Sequence, residues 1–208
     1  MNTLNLTLTL LTAVFIFTQC SQNENEKSQA QSSIETTESN VNTNSYNGFN
    51  SLEEYGGHLV MIAGCHDCHT PKKMGPHGPE LDMDLALSGH PSKMPAPDVN
   101  RKEMESKGLA VTQTLTAWVG PWGISYAANL TSDETGIGNW QEKNFIKAIR
   151  EGKFKGMDNS RPILPPMPVE VLKHMTDQEL KAIFTYLKST KPIHNVVPAP
   201  EPPLTAMR

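Results

Sequence analysis

The chain has 208 residues, room for one domain with tails, and 37% of them are hydrophobic. Its formal charge of −4 is unevenly placed: residues 1–50 hold four Glu and one Lys, and residues 51–208 hold 17 basic and 18 acidic side chains. A nearly neutral body of this kind has no electrostatic footprint for nucleic acid, and the shortage of apolar residues is concentrated at the two ends.

Residues 1–17 carry no charged side chain, and residues 8–17 form an apolar run interrupted by Thr9 and Thr12. The run is too short to span a bilayer as a helix and fits the hydrophobic region of an export signal over residues 1–19. Cys20 follows it and resembles the lipid-acceptor cysteine of a bacterial lipoprotein, which implies a membrane anchor. Residues 20–47 are dominated by Ser, Asn, Gln, Thr and Glu. They cannot bury enough surface to offset their ordering entropy, so a flexible tether is expected, with an r.m.s. span on the order of 25–30 Å. The folded domain is expected over residues 48–196, with a proline-rich tail over 197–208.

Ser51-Leu52-Glu53-Glu54 has the form of a capping box. Tyr55, Leu59 and Ile62 then fall at helical spacing, so a first helix should run toward Cys65. Gly56 and Gly57 weaken a helix by about 1 kcal/mol each, which makes sense where a second helix crosses closely.

Cys65-His66-Asp67-Cys68-His69 reads C-x-x-C-H, the attachment pattern for a c-type haem. Two thiols one helical turn apart can add to the two vinyl groups on one porphyrin edge. The adjacent His69 then offers its imidazole to the iron as proximal ligand. A structural zinc site would need a second ligand pair, and Cys20 is the only other cysteine. A thioredoxin-like dithiol expects a strand leading into the first cysteine rather than a helix; a plain Cys65–Cys68 disulfide is the remaining alternative. One covalent haem c is therefore expected, and its attachment implies an extracytoplasmic, periplasmic location in a bacterium.

Residues 71–100 contain six prolines and read as loop. Residues 110–130 alternate weakly around the turn signal Gly120-Pro121-Trp122-Gly123, predicting a β-hairpin. A second helix starts near Asn139-Trp140-Gln141-Glu142, carries Phe145, Ile146 and Ile149, and ends at Gly152. A third starts at the capping box Thr176-Asp177-Gln178-Glu179 and carries Leu180, Ile183, Phe184 and Leu187 at i, i+3, i+4, i+7. Pro192 bounds it.

Helix, C-x-x-C-H, loops, helix, a Met-Pro segment and a terminal helix ending Tyr186-Leu187 resemble a class I cytochrome c domain over residues 51–191. The resemblance implies an all-α fold around one haem, here with a short β-hairpin insertion. A narrower likeness lies in Asn129-Leu130-Thr131, Thr135-Gly136-Ile137-Gly138, Trp140, Leu164-Pro165-Pro166-Met167-Pro168 and Met175-Thr176-Asp177. These strings look like those of cytochrome subunits of bacterial membrane-bound alcohol and gluconate dehydrogenases. Those subunits carry three such motifs and this chain one, which implies a single-haem relative.

Ten methionines and seven histidines compete for the distal position. Met167 is the candidate: prolines fence it on both sides and stiffen its backbone, and it precedes the terminal helix, where class I cytochromes place their methionine. Met175 is the alternative and Met94 an outsider. His58, His77, His90, His174 and His194 read as surface residues. Gly78-Pro79-Glu80-Leu81 resembles the Gly-Pro-x-Leu segment of class I cytochromes, which implies that the Pro79 carbonyl accepts the hydrogen bond of the proximal imidazole. A six-coordinate Met/His iron points to an electron carrier rather than an enzyme. The resemblance implies redox protein partners: a dehydrogenase, other cytochromes or an oxidase. The competing readings are a haem enzyme or ligand-binding sensor with a displaceable distal ligand, and an assembly factor that uses the haem structurally.

Overall fold

The computed structural model describes residues 46–207. The expected signal, Cys20 and the tether up to residue 45 lie outside the described residues. Helix α1 (Leu52–Ile62) starts where the capping pattern predicts: Ser51 Oγ accepts from the Glu54 amide at 3.0 Å, while the Glu54 carboxylate accepts from the Asn50 amide at 3.0 Å. It does not run unbroken into the cysteines. Gly64, with φ +68°, turns the chain between α1 and the short helix α2 (Cys65–His69). Helix α3 is Arg101–Lys107, α4 is Glu142–Glu151, α5 is Val169–Leu172 and α6 is Asp177–Ser189. Among the described residues no helix is long and apolar enough to cross a membrane.

Three of these helices build the core. Helix α6 opens on a reciprocal capping box between Thr176 and Glu179 and buries Leu180, Ala182, Ile183, Phe184 and Leu187. Helix α1 lays Tyr55, Leu59 and Val60 against it. Helix α4 adds Phe145 and Ile149, with the Phe145 and Phe184 rings 5.5 Å apart. Each fully buried large apolar side chain contributes roughly 1.5–3 kcal/mol. The α1–α6 crossing is tight because of its glycines. A Cβ on Gly56 would stand 1.9 Å from the Ala182 carbonyl oxygen, and one on Gly57 would stand 3.0 Å from the Tyr186 ring. Cys65, Leu130, Met167 and Met175 pack against the margin of this core.

The expectation of an all-α fold is overturned. Among the described residues, two antiparallel sheets stand beside the six helices. The first pairs β1 (Lys72–Gly75) with β2 (Gly78–Leu81) across a two-residue turn, Pro76-His77. This stretch reads as loop because of its prolines, but Pro79 lies in a two-stranded ribbon, where a missing N–H is tolerated at the open edge. The second sheet has the order β3 (Val111–Thr112), β4 (Ala117–Gly120), β5 (Gly123–Tyr126). The hairpin expected around Gly120-Pro121-Trp122-Gly123 is β4–β5, and it is more than an appendage: Ala117, Trp118, Val119 and Ile124 are buried.

The proline-rich C-terminal segment is not a free end. Ile124 and Glu201 exchange both backbone hydrogen bonds, at 2.9 and 3.0 Å, so residue 201 extends the sheet beyond β5. Gly123, at φ +95°, permits this approach, since a Cβ there would meet the Glu201 oxygen at 2.0 Å. Arg101 donates to the Glu201 carboxylate at 2.7 Å and to the Pro202 carbonyl at 2.8 Å. The folded body therefore continues past residue 196.

Gly56→Ala should destabilise the protein by about 3 kcal/mol or more, because neither backbone at the crossing can yield. Gly108→Ala, at a helix end with open space around it, should cost about 1 kcal/mol or less for its positive φ. Urea midpoints of the two variants measure the difference; equal losses would contradict the crossing.

Candidate haem-binding site

The C-x-x-C-H motif is one short helix. The i, i+3 spacing sets the Cys65 and Cys68 side chains on one face; both thiols are free and half-buried. His69, the last residue of α2, is 8% exposed. The motif is stitched to its surroundings at several points. Thr70, fully buried, accepts from the Leu87 amide at 2.9 Å and lies 2.8 Å from His66 Nδ1. The His69 carbonyl accepts from the Gly89 amide at 2.8 Å. Lys72 caps the end of the helix by donating to the Thr70 carbonyl at 2.9 Å and to that of Asp67.

The decisive contact is on the His69 ring. Its Nδ1 lies 2.7 Å from the Ala128 carbonyl oxygen. A carbonyl only accepts, so Nδ1 carries the proton and Nε2 keeps its lone pair. Among the described residues Nε2 has no hydrogen-bond partner. Burial lowers the His69 pKa, partly countered by the bond to Ala128, so the ring is neutral. Burial pushes the Cys65 thiol up to about 11 and raises Cys68 as well. Both remain thiols at neutral pH.

This donor set fits a c-type haem: two thiols at attachment spacing and a neutral imidazole with its tautomer fixed and Nε2 free. It does not fit a structural zinc site, since among the described residues no three His, Cys, Asp or Glu side chains converge as metal ligands. Nor does a strand lead into Cys65, as a thioredoxin-like dithiol requires.

The acceptor for His69 differs from the one expected. Pro79 is exposed on β2, and Ala128 takes the role assigned to it. The Ala128 carbonyl is itself held from two sides. Segments 87–90 and 127–130 pair through His90 N to Ala127 O at 2.9 Å and Leu130 N to Leu87 O at 2.8 Å. Asn129 Nδ2 donates to Ile193 O at 2.8 Å, and its Oδ1 accepts from Thr131 N at 2.9 Å. Asn195 Nδ2 donates to the carbonyls of Ser88 and His90 at 2.7 and 2.9 Å. Asn129 and Asn195 thus brace the acceptor peptide, a part that the sequence pattern assigns to neither. The string Asn129-Leu130-Thr131, already singled out by resemblance, directly follows the acceptor and was the available signal.

Both methionine candidates, Met167 and Met175, are half-buried at the margin of the core that also receives Cys65. Met94 is 36% exposed. His58, His77, His174 and His194 are exposed, but His90 is not a surface residue: it is 0% exposed. Its Nε2 donates to the Met94 carbonyl at 2.8 Å, which leaves Nδ1 to accept from Thr116 Oγ1 at 2.9 Å.

Similar proteins agree with this chemistry. No family model matches the chain. A nicotinate dehydrogenase subunit of Pseudomonas putida is 35% identical over 80 residues, 38% of this chain and 6% of that protein. The gluconate 2-dehydrogenase cytochrome c subunit of Pantoea cypripedii is 34% identical over 79 residues, 38% of this chain and 16% of its own length. The alcohol dehydrogenase (quinone) cytochrome c subunit of Gluconobacter oxydans is 31% identical over 145 residues, 69% of this chain and 22% of the relative. The chain is therefore similar to cytochrome c subunits of bacterial dehydrogenases, and it spans less than a quarter of the length of each of these three relatives.

The buried His90 makes stability depend on pH. Burial lowers its pKa from the ordinary 6.5, with the Met94 hydrogen bond opposing. Its native pKa lies below the unfolded one, so stability is full above about pH 6.5 and falls as acid protonates the unfolded chain first. His66, lowered by the same cause, adds to the slope. His90→Gln should reduce the loss of urea stability between neutral and mildly acidic pH. An unchanged slope would contradict a neutral, buried His90.

Proposed function

We propose that the chain is a single-haem c-type cytochrome that carries one electron at a time between redox partners, a dehydrogenase among them, and is not itself a catalytic subunit. The observation that carries this reading is the C-x-x-C-H helix whose His69 ring is locked by Ala128 with Nε2 free. Its similarity to cytochrome c subunits of dehydrogenases supports it. When bound, the haem supplies a one-electron iron couple.

The chain's own residues do the rest. Cys65 and Cys68 would hold the haem as thioethers, so that it could not dissociate. His69 presents Nε2, and the Ala128 carbonyl, by accepting from Nδ1, strengthens the imidazole as a donor. Met167 would supply the second ligand to the iron, with Met175 the alternative. A thioether raises the reduction potential relative to a second imidazole. With His69 and a methionine both bound, the iron would have no open position for substrate chemistry. The helical clamp of α1, α4 and α6 around this margin limits rearrangement between oxidation states.

The proposal extends to location: export by residues 1–19, lipidation at Cys20, and a tether that raises the domain's effective concentration near membrane partners on the periplasmic side. Cys20→Ala should release the protein from membranes with its visible spectrum unchanged. A mature N-terminus elsewhere would remove the anchor from the proposal and leave secretion.

Haem staining after denaturing electrophoresis should show one retained band, lost only when both Cys65 and Cys68 are replaced by Ala. The wild-type ferrous protein should not bind carbon monoxide. Met167→Ala should open the sixth position to it while the haem stays attached, and Met175→Ala should cost only packing, roughly 1–3 kcal/mol. Ready binding of carbon monoxide by the wild type, with turnover of a substrate, would favour the haem enzyme instead.

A further inference from the structure

The segment that carries Met167 has almost nothing to hold itself with. Residues 164–168 read Leu-Pro-Pro-Met-Pro, and three of the five have no amide proton. The Met167 amide donates to Leu164 O at 3.3 Å, and the Met167 and Pro168 carbonyls accept only from Val169, Val171 and Leu172 just downstream. Among the described residues, a single hydrogen bond reaches this segment from elsewhere in the fold. Ser125 Oγ, on strand β5, donates to the Pro165 carbonyl at 2.6 Å.

The Ser125 hydroxyl is aimed. Trp122 Nε1 donates to Ser125 Oγ at 3.0 Å. Indole N–H can only donate, so the serine oxygen is the acceptor there and its own proton turns to Pro165. Ser125 is 5% exposed, so the donor side of this bond is buried, while Pro165 itself lies at the surface. Trp122 stands in the two-residue turn of the β4–β5 hairpin, so the relay runs from the turn to the strand to the methionine loop. The three-stranded sheet has no C-x-x-C-H residue, no axial candidate and no share in the helical core. Its polar link to Pro165 gives it a place in the site.

We propose that Ser125, oriented by Trp122, is a positioning residue for the distal ligand: it holds the Pro165-Pro166-Met167 loop so that the thioether stays on the iron. The inference rests on the reading of Met167 as that ligand. Without the Ser125 donor, the Pro165 carbonyl has no partner among the described residues, and residues 164–168 keep only the packing of Met167 on the core and the Ile163 amide bond to Gly152 just upstream. The methionine should then yield more easily to an incoming ligand, most of all in the ferric state, which holds a soft thioether less well.

The test is imidazole binding to the ferric holoprotein, read together with the methionine-to-iron charge-transfer band. Ser125→Ala should tighten imidazole binding about tenfold, equivalent to about 1.4 kcal/mol, and weaken the band. Trp122→Phe, which leaves Ser125 in place but no longer aimed, should act in the same direction with a smaller shift. Ser125→Thr, which keeps a hydroxyl, should restore affinity toward wild type. In a Met167→Ala background Ser125→Ala should add nothing, because the coupling passes through Met167. A Ser125→Ala protein that melts earlier yet keeps wild-type imidazole affinity and band would overturn the inference and leave Ser125 a structural residue. If Met167→Ala itself keeps the band, the ligand assignment has failed, and the inference with it.

Discussion

The hydrogen bond from His69 Nδ1 to the Ala128 carbonyl is the contact on which the rest of the architecture turns. It joins a five-residue helix to a segment 59 positions later in the chain. It fixes which ring nitrogen is protonated and hence which can act as a ligand. A backbone carbonyl can do this only if its own peptide is immobile. The pairing of segments 87–90 and 127–130, Asn129 bonded to Ile193 and Asn195 bonded to Ser88 and His90 supply that immobility. The chain between the motif and α4 is therefore the frame of the site rather than a spacer.

The division of labour follows from what each kind of structure can provide. Amphipathic helices supply apolar stripes, and α1, α4 and α6 form a clamp whose closest approach is set by Gly56. Irregular segments supply carbonyls and amides aimed in chosen directions, and these make the polar contacts to the motif. The methionine loop is the extreme case. Its prolines make it stiff but strip it of donors, so support has to come from a side chain on another element. The sheet of β3, β4 and β5 carries that side chain, and the C-terminal segment secures the sheet in turn through Ile124 and Glu201.

Much of this was legible in the sequence, and the rest was hidden for identifiable reasons. The C-x-x-C-H motif, the Thr176 capping box, the stripe from Leu180 to Leu187 and the turn at Gly120-Pro121-Trp122-Gly123 are local patterns with local causes. Strands β1 and β2 were masked by prolines that a two-stranded ribbon tolerates. Helix α3 has a cap at Asn100, accepting from the Glu103 amide at 3.2 Å, but only Met104 as an apolar residue, so no periodicity announces it. His90 reads as a surface residue until Thr116 and the Met94 carbonyl, both supplied by the fold, enclose it. The acceptor for His69 is a main-chain oxygen, which every residue type possesses. A short string such as Gly78-Pro79-Glu80-Leu81 can therefore match the pattern of the role while Ala128 performs it.

As a one-electron carrier, the chain would hold one haem covalently with both iron positions taken, by His69 and a methionine. Reductive titration of the purified holoprotein, with electron paramagnetic resonance at each step, tests this most directly. The expected result is uptake of one electron per polypeptide, with a low-spin ferric signal at the start and a diamagnetic low-spin ferrous protein at the end. A high-spin ferric signal in the resting protein, or uptake of more than one electron per chain, would contradict it.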